Sequence, residues 1–221
     1  MTKADYTHIS ILLDRSGSMQ SCKDATISGV NEFLSKQLAV PGQASATLAQ
    51  FDDQYEIIQS GKPLPETKEL TGETYQPRGM TALYDSIARL IKDTGAYLSA
   101  MVEADRPAHV VFAIVTDGME NASSDFGIGT GGASKLRDMI QLQTKTYGWT
   151  FAYIGANQDA ILSAQSIGIM AANAINYTAS PVGTTKAYAA ISDATAQLRC
   201  SRGATAAAFF AGKTTADETT T

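Results

Sequence analysis

Histidine and cysteine are almost missing from this chain: its 221 residues hold two of each, His8 and His109, Cys22 and Cys200. The cysteines lie far apart and in no metal-type spacing, so the pattern builds neither a disulfide-rich scaffold nor a thiolate zinc site. Two reduced thiols are the expected state, with one long-range disulfide as the alternative. His109 has no second His or Cys at ligand spacing, which leaves it a structural role. Apolar runs are short, and none approaches the ~18 residues needed to cross a bilayer. The start, Met1-Thr2-Lys3-Ala4-Asp5, has no signal-peptide core, and a cytoplasmic location is the expectation. Basic charge is scarce too. A net charge of −5, with no basic patch interleaved with aromatics, weighs against nucleic-acid and anionic-membrane partners.

What remains is an ordinary apolar content of 44% in a chain long enough to bury a substantial core. Short apolar runs alternate with helical periodicity. Ile9–Leu13 reads as a strand buried on both faces, and Ile27, Val30, Phe33, Leu34 and Leu38 mark a helix from about Cys22 to Leu38. Ala44–Phe51 and Tyr55–Ser60 flank Asp52-Asp53-Gln54 and read as a hairpin at a sheet edge, with the two acids in a solvated turn. Residues 61–78 carry prolines and glycines and read as a surface loop. Leu83, Ile87, Leu90, Ile91, Leu98 and Met101 mark a long helix, and His109–Thr116 a second buried strand. A helix around Leu136–Leu142, a strand at Trp149–Ile154, a short helix after Asp159, a weak strand at Ala174–Tyr177 and a helix at about Thr184–Arg199 complete the series. The alternation implies an α/β architecture, a mostly parallel sheet with helices on both faces. A single domain over residues 1–212 is expected, with a disordered threonine-rich tail at 213–221.

The chemistry concentrates at Asp14-Arg15-Ser16-Gly17-Ser18. A buried strand ends there on a carboxylate, and two hydroxyls alternate with a residue that turns freely. Open α/β sheets bind ligands just beyond the carboxyl ends of such strands. Asp14, Ser16 and Ser18 are hard oxygen donors, suited to magnesium, manganese or calcium rather than zinc or copper. The plainer reading is a strand end followed by a helix cap, with Ser18 as the cap.

Two further segments bear on that choice. Thr81 follows Gly79-Met80 where a helix opens, and Thr116-Asp117-Gly118 closes the second buried strand. Asp-x-Ser-x-Ser, a helix-opening Thr and a strand-ending Thr-Asp-Gly, in this order, resemble the von Willebrand factor A (vWA) domain and its metal-ion-dependent adhesion site (MIDAS). The resemblance spans roughly Tyr6 to Cys200, with its motifs confined to these three segments. It implies a three-layer Rossmann-like vWA fold with one antiparallel edge strand. It further implies that Ser16 and Ser18 bind a divalent cation directly, that Asp14 and Asp117 hold it largely through water, and that Thr81 joins in one conformation. The cation would be Mg2+, with Mn2+ or Ca2+ as alternatives, and the partner a protein offering Asp or Glu. Asp-Arg-Ser-Gly-Ser-Met and Tyr-Ile-Gly-Ala-Asn are similar to stand-alone bacterial and phage members, which implies an ATPase or stress-response component as partner.

Other features carry less. Gly127–Gly132 formally contains Gly-x-Gly-x-x-Gly, but it does not follow a strand directly and no acid stands ~20 positions on, as dinucleotide binding requires. A flexible loop on the metal face is expected instead. Asn157 and Asp159 read as caps rather than second-site ligands. Arg15 and Lys23 read as surface charges, with Arg15 a candidate for steering an acidic partner. A metal-dependent hydrolase or phosphoryl-transfer enzyme is the alternative function. It lacks a convincing base or nucleophile, since both histidines fall within or at the start of strands and Cys22 reads as a buried helix thiol. The expectation is a binding module and no catalysis.

Overall fold

The computed structural model describes residues 2–156, 159–201, 208–210 and 215. Its organising strand is β1 (Lys3–Asp14), from which side chains leave alternately to two apolar layers. Ile9, Ile11 and Leu13 face one layer and Leu12 the other. A strand buried on both faces from Tyr6 onward lies inside the sheet, and β1 is paired in parallel with β2 (Gln43–Phe51) and with β4 (Pro107–Thr116). The full order is β3-β2-β1-β4-β5-β6, with β3 at Tyr55–Pro63, β5 at Thr150–Ala156 and β6 at Ala174–Tyr177. Among the described residues only β2 and β3 pair antiparallel, as the edge hairpin anticipated.

Helices α1 (Lys23–Ala39) and α5 (Pro181–Cys200) cover one face, packing Val30, Phe33, Tyr188 and Ile191 against β1 and its neighbours. The other face carries α2 (Leu83–Ser99), α3 (Gly132–Tyr147) and α4 (Ala160–Ser166), through Ile87, Ile91, Leu136, Ile140 and Ala164. In α2 the buried Leu83, Ile87, Leu90, Ile91, Thr94 and Leu98 follow the helical period. A chain that runs from β1 to β2 and then to β4 on the other side of β1 reverses direction across the sheet. Its crevice therefore opens at the carboxyl ends of β1 and β4.

Several expectations are corrected. The stretch 61–78 is anchored rather than superficial, because Leu64, Leu70 and Tyr75 are buried. Asp52 lies in the β2–β3 turn, yet its side chain is fully buried and paired with two arginines. Arg15 is likewise buried, held by Asp52 and Glu56, and so is no surface charge. Gly127–Gly132 forms a short 3-10 turn leading into α3, and the glycine at 132 is steric: an added Cβ would overlap the Phe126 carbonyl. Cys22 and Cys200 are both free thiols. Among the described residues no helix is long and apolar enough to cross a membrane. Asn157 and most of 202–221 lie outside the described residues. Of the terminal stretch, Phe209 and Phe210 are buried and Thr215 bridges Asn176. Asp159 caps α4 through the Leu162 amide at 3.0 Å, as expected.

Candidate metal centre

Asp14 closes β1 and Thr116 closes the adjacent β4, so the loops that follow them emerge side by side. Asp14 turns its carboxylate into this rim. One oxygen accepts the Ser16 amide at 2.7 Å and the other accepts the Thr116 hydroxyl at 2.6 Å. The first bond is an Asx-type closure that folds 14–16 tightly and sets Ser16 beside Ser18, their hydroxyls 3.1 Å apart. Ser18 in turn donates to Asp117 Oδ1 at 2.5 Å. It caps no helix: the turn at Gly17–Cys22 and α1 both begin without a side-chain cap.

Thr81 reaches the same place from across the sequence. Its backbone is held on both sides by Asn121, whose side-chain oxygen accepts the Thr81 amide at 2.8 Å and whose amide donates to the Thr81 carbonyl at 3.1 Å. The N-cap of α2 falls on Ala82, so capping does not account for the threonine. Gly118 lies between the parts. A Cβ there would stand 3.1 Å from Thr81 Oγ1 and 3.8 Å from Asp14 Oδ2. The structure thus gathers Asp14, Ser16, Ser18, Thr81 and Asp117 at one rim. Ser18 is exposed there and the other four are buried.

Electrostatics are the site's main feature. Burial pushes the Asp14 carboxyl up to about 6, against the pull of its hydrogen bonds from Thr116 and Ser16, with Asp117 adding a smaller push. Burial also raises Asp117, opposed by the Ser18 hydroxyl. Among the described residues no Lys, Arg or His forms an ion pair with either. Arg15, which stands between the ligand positions in sequence, turns away to Asp52 and Glu56 at 3.1 and 2.7 Å. Two adjacent carboxylates without a protein cation, ringed by three hydroxyls, fit a hard divalent cation. They would hold it with few charged groups: no three His, Cys, Asp or Glu are placed to hold a metal ion together among the described residues.

Supporting residues were less visible in the sequence. Tyr75 donates its buried hydroxyl to the Asp14 carbonyl at 2.6 Å. Glu120 accepts the Tyr84 amide at 2.8 Å and organises its own loop through Ala122 and Ser123. Each has a partner distant in sequence, Asp14 for Tyr75 and Tyr84 for Glu120, that no local spacing marks. Thr116 was marked only as part of Thr-Asp-Gly; its alignment with Asp14 follows from strand pairing.

No protein-family model and no curated protein matches this sequence. Solved structures do. The von Willebrand factor type A protein from Catenulispora acidiphila superposes with a TM-score of 0.56 at 14% identity, over 86% of this chain and 42% of that one. The ArnB paralog VWA2 from Sulfolobus acidocaldarius gives 0.55 at 14% identity, over 83% and 44%. Proximal thread matrix protein 1 from the mussel byssus, in a structure described as having a zinc-occupied MIDAS motif, gives 0.54 at 16% identity, over 83% and 46%. The chain spans less than half the length of these structures. At such identities the likeness establishes the fold, which is that of a vWA domain: Rossmann-like, mostly parallel, with one antiparallel edge pair and helices on both faces.

Proposed function

We propose that this protein is a metal-dependent binding module whose rim holds one divalent cation, Mg2+ in the first instance, and engages an acidic group of a partner protein. The observation that carries the reading is the pair Asp14 and Asp117, raised by burial and without a protein cation among the described residues. Ser16, Ser18 and Thr81 would supply neutral oxygens, and Asp14 and Asp117 the charge. When bound, the cation supplies a Lewis-acidic position that neutral hydroxyls neutralise poorly, leaving it open to a carboxylate from outside. The zinc described for the mussel protein's MIDAS supports metal occupancy of this type of rim; the oxygen-only donor set here favours a harder ion.

A binding role is favoured over hydrolysis or phosphoryl transfer by the placing of both histidines away from the rim. His8 stands six residues before Asp14 on β1, about 20 Å away along an extended strand. It is buried between Ser45 and Thr47. His109 begins β4, at the end of the sheet opposite the rim. A cytoplasmic setting and a partner among ATPases or stress-response proteins belong to the same proposal.

The test is capture of partners on the tagged protein from source-cell lysate, in Mg2+ and in EDTA, with Asp117→Ala alongside. A partner kept only by Mg2+ and the intact site is expected. A partner kept equally in EDTA and by Asp117→Ala would move recognition to another surface.

A further inference from the structure

Asp52 belongs to neither the sheet core nor the ligand set, yet it is a fully buried carboxylate facing two guanidinium groups. Arg15 Nε lies 3.1 Å from Asp52 Oδ2, and Arg78 Nε donates to the same oxygen at 2.8 Å. Its other oxygen accepts the Gln54 amide at 2.6 Å, and its carbonyl accepts the Ala82 amide at 2.9 Å. The two arginines come from different loops of the metal centre. Arg15 sits between Asp14 and Ser16, while Arg78 stands three residues before Thr81. Backbone bonds stitch the same loops together: Arg78 N to Arg15 O at 2.7 Å, and Gly17 N to Gly79 O at 3.2 Å.

The close fit continues at Gly79, whose φ is +67° and where an added Cβ would overlap Asp53. Two cations share one desolvated carboxylate and tie both loops to the end of β2, and only the loss of both would leave Asp52 a buried charge without a partner. The Asp52 carboxylate thus joins Asn121 and the backbone bonds between these loops in setting the Ser16–Ser18 loop against Thr81.

We propose that Asp52 is a positioning residue of the cation site, which clamps Arg15 and Arg78 and thereby sets Thr81 against Ser16 and Ser18. It touches no ligand position itself. Its influence runs through the loops, and its loss shifts Thr81, still tied to Asn121, rather than removing a donor. The inference rests on the cation reading of the rim.

The experiment is Mn2+ binding to the full chain by electron paramagnetic resonance, with Asp52→Asn, Thr81→Ala and the double variant. The wild type is expected to bind Mn2+, and Asp52→Asn to weaken binding by about tenfold, as for residues that orient metal ligands. Thr81→Ala should weaken it in the wild type and add little in Asp52→Asn, because the threonine is already displaced. Should Asp52→Asn not fold, Arg78→Gln replaces it, as Arg78 is half-exposed and Asp52 keeps Arg15 as its partner; Arg78→Lys should restore part of the affinity. Wild-type affinity in a folded Asp52→Asn, or fully additive losses, would overturn the clamp while leaving the cation site. Absence of Mn2+ binding in the wild type would overturn the cation reading, and the clamp with it.

Discussion

The Tyr75 hydroxyl donates to the backbone carbonyl of Asp14 at 2.6 Å, joining the 61–78 stretch to the last residue of the central strand. Asp14 is held at both ends, its carbonyl by Tyr75 and its carboxylate by Ser16 and Thr116. Tyr75→Phe keeps the packing and leaves a buried carbonyl short of a donor, a loss of about 1–3 kcal/mol. Urea unfolding should show the midpoint falling with an unchanged slope, together with weaker cation binding.

Cation binding should depend on pH through Asp14. With its carboxyl near 6 in the fold against 3.8 when free, the cation-free fold holds an extra proton between those values. Stability of the cation-free protein therefore falls as pH rises through this window, by up to about 1.4 kcal/mol per unit. A cation needs the carboxylate, so its affinity should drop by up to about tenfold per unit below pH ~6. Mg2+ titrations at pH 5 and 7.5 check this. Thr116→Val removes a bond that favours the carboxylate and should move the dependence to higher pH.

His8 acts with the opposite sign. Burial pushes its imidazole down to about 3, and it sits neutral between Ser45 and Thr47. The unfolded chain takes up a proton below 6.5 that the fold refuses, so this contribution is lost as pH falls from about 6.5 toward 3. His8→Gln should be less stable at pH 7 but show a flatter acid limb in unfolding. In EDTA the Asp14 contribution partly offsets the His8 loss between pH 4 and 6, and saturating Mg2+ should steepen the wild-type decline there.

Gly118→Ala separates stability from ligation. The new methyl would press on the Thr81 hydroxyl and lie near Asp14 without meeting backbone. Thermal unfolding should shift little while cation affinity falls several-fold. Gly132→Ala, where the methyl would overlap the Phe126 carbonyl, should destabilise the fold instead.

Much of this was legible in sequence because it is local. Asp14, Ser16 and Ser18 occupy one strand-to-loop turn, and a buried strand with a Thr-Asp-Gly end can be read from its own residues. Even the edge hairpin showed itself through its turn. The turn also misled: Asp52-Asp53-Gln54 does turn the chain, yet nothing local reveals that the Asp52 carboxylate faces inward to Arg78, 26 residues away. Tyr75 lies 61 residues from Asp14, and its buried position depends on the strap crossing α1 and the sheet. Arg15 looked exposed for the same reason. Side-chain partners set by tertiary packing leave no periodicity to read.

Calorimetric titration of Mg2+ into the wild type and into Asp14→Ala, at pH 7.5 after EDTA treatment, tests the central claim most directly. One ion bound per wild-type chain, and none by a folded Asp14→Ala, is the predicted result. Equal binding by both proteins, or none by the wild type, would contradict the assignment of the rim as a cation site.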